Sequence, residues 1–185
     1  MSCSYPFAEG RDTRKDFCCA PKHPKAKKII LECGHNPQPA IFDVDDEEIC
    51  TDQEFVLDTV RIDTTCLQNP IVKIDFSSLI VFEVEGEGEE GENEAEVDLL
   101  FELVRICNGH KEVIQSWRYE KEVESNAEIE VETSEPFTVI FCDRACPGCC
   151  EYKMIVKGKE FDGDIDELRI VNPVLTALAQ GMCDD

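Results

Sequence analysis

A chain of 185 residues with a formal charge of −23 carries no basic footprint for nucleic acid and is repelled by an anionic membrane surface. At this length one domain buries roughly 70% of its unfolded surface, so its twelve cysteines are not needed merely to hold a small core together. That many thiols in a single domain point to cross-linking or to metal.

Residues 1–28 form a separate region, expected as a connector arm. They hold Arg11, Arg14, Lys15, Lys22, Lys25, Lys27 and Lys28 against Glu9, Asp12 and Asp16, a net charge of +4, while the remainder sums to −27. A cationic arm on an anionic body favours docking of arm on body. The arm is punctuated by proline and carries the adjacent pair Cys18-Cys19, with Cys3 upstream. Adjacent cysteines rarely bond to each other because the small ring is strained, so this pair suits two partners elsewhere. The start, Met-Ser-Cys-Ser-Tyr-Pro, lacks the apolar core of a secretory signal, and no apolar run reaches membrane-spanning length. Synthesis in the cytosol is expected, with oxidation later, for example after cell lysis.

From Lys27 onward the chain reads as successive strands. Lys28 to Cys33 is β-prone and ends at Gly34, and Asn36-Pro37-Gln38-Pro39 is a turn. Phe55 to Thr65 places Val56, Val60 and Ile62 on one parity. Val72, Ile74, Phe76, Ser78, Ile80, Phe82 and Val84 then alternate with Lys73, Asp75 and Glu83, the pattern of a strand with one buried face. Residues 85–96, glycine-broken and glutamate-rich, read as a solvated loop without the fixed ligand spacing of a tight calcium site.

Val97 to Cys107 puts Val97, Leu99, Phe101 and Leu103 on one face. Asn108-Gly109 is a hairpin signal, because both central residues of a type I′ turn need positive φ. The return strand is expected to share Val113, Trp117, Tyr119 and Val123 on one face. Glu128 to Thr133 and Phe137 to Cys142 read as two strands separated at Pro136. Tyr152, Met154 and Val156 mark another, Ile165 to Val171 a last one, and residues 173–185 a C-terminal tail, with Val174 to Gln180 either a short helix or extended. Eight or nine short strands and no long helix imply an all-β sandwich or jelly roll over residues 29–172.

Cys146-x-x-Cys149 has the spacing of half a zinc knuckle or of a redox dithiol. A second such pair is missing, Cys33-Gly-His35 is a poor substitute, and no βαβ context supports a thioredoxin-like site. A disulfide role suits the placement better: Cys33, Cys66, Cys107 and Cys142 fall at strand ends, on rims that another chain can reach. Cys50, Cys146, Cys149, Cys150 and Cys183 are further disulfide candidates, with Cys3. His23, His35 and His110 lie in polar loop-like sequence, and Asp162-Gly-Asp-Ile-Asp-Glu lacks the glycine and glutamate positions of an EF-hand. No phosphate loop or nucleophile motif is present, so neither an enzyme nor a cofactor is expected.

The segment Asp63-Thr-Thr-Cys-Leu-Gln-Asn-Pro-Ile-Val-Lys-Ile-Asp-Phe-Ser-Ser78 resembles a cysteine-rich domain-of-unknown-function family of anaerobic spore-forming bacteria. So do Cys33-Gly34 and the run from Pro136-Phe137 to Cys142 with its cysteine-rich sequel, over about residues 29 to 157. The architecture is similar to that of endospore appendage subunits, jelly-roll proteins whose N-terminal connector bears a Cys-Cys pair. That resemblance implies a jelly roll and a helical homopolymer joined by disulfides. It makes Cys18 and Cys19 donors, Cys33 and Cys142 acceptors on other copies, and the spore or cell surface the destination, reached on lysis of the mother cell. It assigns no role to Cys146–Cys150 or Cys183. The alternatives are a cytosolic zinc-binding domain and an amorphous spore-coat protein.

Overall fold

In a computed structural model, the described residues are 27–44, 53–86, 93–125, 129–145, 147–163 and 165–182. They form nine strands and no helix: β1 (Lys27–Cys33), β2 (Ala40–Ile41), β3 (Glu54–Asp63), β4 (Gln68–Gly86), β5 (Asn93–Cys107), β6 (His110–Ser125), β7 (Ile129–Asp143), β8 (Cys149–Gly163) and β9 (Ile165–Met182). One sheet runs β1-β9-β4-β7, with β2 also on β9; the other runs β3-β8-β5-β6. All pairings are antiparallel.

The pairs β1/β9, β3/β8, β4/β7 and β5/β6 nest inside one another, so the chain is one long hairpin rolled into a sandwich, the topology of a jelly roll. Its tip is Asn108-Gly109, both at positive φ (51° and 77°), as the dipeptide predicts.

Period-two patterning builds the core. Val72, Ile74, Phe76, Ile80, Phe82 and Val84 of β4 face Val97, Leu99, Phe101 and Leu103 of β5 and Tyr152, Met154 and Val156 of β8, all buried. Phe137 stacks on Phe101 with centroids 4.0 Å apart. Both open flanks of the sandwich are closed. On one, residues 34–39 bridge the sheets through Gly34 N–H to Leu175 O (2.7 Å), His35 N–H to Thr59 O (3.0 Å) and Gln38 N–H to Leu57 O (2.8 Å). On the other, Tyr119 donates to Glu135 at 2.9 Å, and Lys121 pairs with the same carboxylate.

Several boundaries and faces differ from the expectation, each for a local reason. The nine strands fall within the eight or nine expected, but Ala40–Ile41 is a short one that was not anticipated. β1 begins at Lys27, inside the expected 1–28 arm. Residues 129–143 are one strand across Pro136, which is tolerated because β7 is an edge of its sheet and one flank needs no N–H donor. The expected tail from 173 is instead the second half of β9, with Leu175, Ala177 and Ala179 buried, so the sandwich reaches 182. Asn172-Pro173 does not end the strand. It forms a bulge opposite Ser78, with Asn172 at φ 53°, and pairing resumes beyond it.

Bulges also move two predicted core residues. The register shift between Val56 and Asp58 buries Leu57 and leaves Val56 exposed. The shift between Leu103 and Val104 turns Ile114 toward the core and Val113 outward.

Candidate assembly surface and its cysteines

Strand register fixes where each thiol lies. Cys107 and Cys150 are cross-strand partners on the inward faces of β5 and β8 and are joined to each other, with Cα atoms 4.5 Å apart. Cys107 was expected on a rim open to another chain and Cys150 as a further disulfide candidate; the two are bonded within the chain, because the hairpin tip folds back onto the start of β8. Cys33, Cys66, Cys142 and Cys149 are free and exposed. Cys66 occupies the turn between β3 and β4, where Lys28 Nζ donates to its sulfur at 3.0 Å. Cys149 opens β8 on the outward face of its sheet. Cys3, Cys18, Cys19, Cys50, Cys146 and Cys183 lie outside the described residues.

Cys33 and Cys142 share a face. Along one row of the β1-β9-β4-β7 sheet, Cys33 is opposite Thr176, Thr176 opposite Asp75, and Asp75 opposite Ile140. Along the next outward row run Leu31, Leu178, Lys73 and Cys142. The thiols therefore stand on opposite edges of one outward face. Three strand spacings and two residues of rise put their Cα atoms about 16 Å apart. A bridge needs less than about 7 Å, so these two cannot bond within one copy.

The same face is unusually apolar. Ile29 (59% exposed), Leu31 (60%), Ile140 (58%), Val174 (51%) and Ile71 (47%) all point outward from it. The outward face of the other sheet carries more charge, with the pairs Arg61–Glu151–Lys153, Lys157–Glu102 and Arg118–Asp98. Between the two thiols, the first sheet sets these apolar side chains around a single ion pair, Lys73–Asp75. Five large apolar side chains exposed on one face mark it as a candidate interaction surface.

The far end of the apolar sheet turns acidic. Glu83 lies opposite Glu132 and Glu167, and Glu85 opposite Glu130. Desolvation, with Asp166, Glu132, Glu167 and Glu85 nearby, pushes the Glu83 carboxyl above its ordinary value. Glu135 is held below the ordinary range by hydrogen bonds from Lys121 and then Tyr119. Glu151 is also lowered, first by Arg61 and then by Lys153.

Near the disulfide, buried Asp143 accepts from Arg105 Nη1 (2.9 and 2.8 Å) and from Tyr152 Oη (2.9 Å). Burial, followed by the Asp143 charge and its hydrogen bond, raises the Tyr152 phenol, keeping it a donor. Among the described residues, no group of three or more His, Cys, Asp or Glu is placed to hold a metal ion.

Neither this clamp nor the apolar face was anticipated from sequence. A signal for the face exists: Ile71 and Ile140 sit on the parity opposite to the buried residues of their own strands.

Nested hairpin order, a tip disulfide and one apolar outward sheet define a jelly-roll domain with one face suited to a partner. The chain belongs to a family described as a domain of unknown function, DUF4489, which matches residues 27–180 and so covers the sandwich. No curated protein matches it. Among solved structures, it is similar to the infectious bursal disease virus Gx strain (7% identity, TM-score 0.33, 84% of this chain and 32% of that one). It is also similar to the VP2 subviral particle of infectious bursal disease virus (9%, 0.29, 85% and 38%). The chain thus spans about a third of the length of those proteins. Likenesses at these scores say nothing about function.

Proposed function

We propose that this chain is a structural subunit that polymerises with copies of itself into a disulfide-linked fibre at a spore or cell surface. In this reading the arm of one copy lies on the sandwich of another, and Cys18 and Cys19 bond to Cys33 and Cys142 of neighbouring copies. A head-to-tail contact of this kind does not close on itself and yields an open filament.

One observation carries the reading: two exposed thiols bracket an exposed apolar sheet face and are too far apart to satisfy each other. The charge contrast between a +4 arm and a −27 remainder favours encounter, and the charged outward face of the second sheet keeps assembled fibres dispersed.

Non-reducing electrophoresis of the assembled protein tests the proposal. A ladder that collapses to monomer with reductant is the expected result, with a regular helical repeat by electron microscopy. Monomer alone without reductant contradicts it.

A further inference from the structure

The start of β4 and the segment after β7 line an open hollow of about 350 Å³, bordered by Asn69, Pro70, Ile71, Arg144 and Ala145. It exists because β4 is lifted from β9 there: pairing is irregular between Gln68 and Ile71, and Asn69 takes φ 48°. Its walls are apolar (Pro70, Ile71, Ala145), and an exposed arginine stands at its mouth. The hollow opens beside a free thiol. Cys142 is opposite Lys73, so Ile71 is two residues along β4 from that row, and Arg144 is two residues along the chain from Cys142. Two residues of extended chain are about 7 Å.

The arm repeats that spacing. Its sequence around the cysteine pair is Asp16-Phe17-Cys18-Cys19. In an extended chain Phe17 and Cys19 fall on one side, two residues and about 7 Å apart, while Cys18 faces the other way. We propose that the cavity is the receptor for Phe17 of a neighbouring copy's arm, seated when Cys19 of that arm bonds to Cys142. Phe17 then meets Pro70, Ile71 and Ala145, the Arg144 guanidinium lies over its ring or pairs with Asp16, and Cys18 is turned toward a different copy. Aromatic anchors filling a pocket beside the covalent link set register, which a flexible arm otherwise lacks.

The fibre reading makes a second copy the source of the arm. The bond forms by exchange: a Cys142 mixed disulfide with glutathione is attacked by the Cys19 thiolate, glutathione leaves as thiolate, and one oxidised glutathione is reduced overall.

This inference rests on the fibre reading, and the experiment separates the two. Full-length isotope-labelled and unlabelled chains are mixed in a glutathione redox buffer, and disulfide peptides are mapped over time. Mixed-isotope Cys19–Cys142 peptides are expected, forming about tenfold more slowly in Phe17→Ala, less affected in Phe17→Leu, and similarly slowed in Ile71→Asp. Cys33 linkage should keep its rate in Phe17→Ala. Unchanged Cys142 linkage in Phe17→Ala, bonding through Cys18 instead, or Cys19–Cys142 peptides of one isotope only overturns the pocket assignment while leaving polymerisation standing. Absence of any interchain disulfide overturns the fibre reading itself.

Discussion

Tyr152 of β8 donates its phenolic hydrogen to Asp143 of β7 at 2.9 Å, across the gap between the two sheets. Arg105, the cross-strand partner of Tyr152, closes on the same carboxylate, and the next inward rung is the Cys107–Cys150 bridge. A buried carboxylate with three hydrogen bonds and a covalent tie thus hold together the end of the sandwich that carries the cavity.

Removing the carboxylate should therefore be costly. In Asp143→Ala, Arg105 and Tyr152 lose a shared acceptor, and destabilisation of about 2–4 kcal/mol is expected by denaturant unfolding. Cys107→Ala with Cys150→Ala opens a bridge between residues 43 apart and should cost about 2–4 kcal/mol. The two effects should not simply add, since they act on adjacent rungs.

Gly34→Ala should be among the most damaging single-methyl changes. A Cβ there would lie 1.9 Å from Oδ2 of Asp58, a buried carboxylate that accepts from the backbone N–H groups of Asn36, Thr59 and Leu175. Displacing it breaks the closure of one flank. A loss on the order of 3 kcal/mol, read from the urea midpoint, is expected.

Glu83 makes stability depend on pH in a definite direction. Its folded-state value is raised, so its contribution is fully present below the ordinary carboxylate range and is lost as pH rises through the raised value. Glu83→Gln should raise the melting temperature at pH 7 and leave it nearly unchanged at pH 4. Glu135 is the opposite case. Its lowered value stabilises the fold above the ordinary range and fails as pH falls through it, so Glu135→Gln should lower the melting temperature at pH 7.

Truncation separates folding from assembly. Deleting residues 1–26 removes nothing that pairs in the nine strands, so a folded β domain should remain, with unfolding like that of the full chain. Stable fibres should not form. Full-length Cys18→Ser/Cys19→Ser should give assemblies that dissolve in denaturant without reductant.

Much of the sandwich was legible because burial on one face writes itself into alternate residues. The β4 stripe from Val72 to Val84, the β5 stripe and the Asn108-Gly109 tip are local signals. What escaped was tertiary: Pro136 and Pro173 are strand breakers by propensity, yet an edge position and a bulge accommodate them. The Cys107–Cys150 bond and the shared face of Cys33 and Cys142 depend on sheet order. Spacing along the chain does not encode that order, so twelve cysteines in sequence indicated cross-linking without indicating which thiols are neighbours.

Disulfide mapping of native assembled material by mass spectrometry tests the central claim most directly. Peptides joining Cys18 or Cys19 of one chain to Cys33 or Cys142 of another are the predicted result. Bridges confined to single chains, or exposed thiols that stay free in intact fibres, would contradict it.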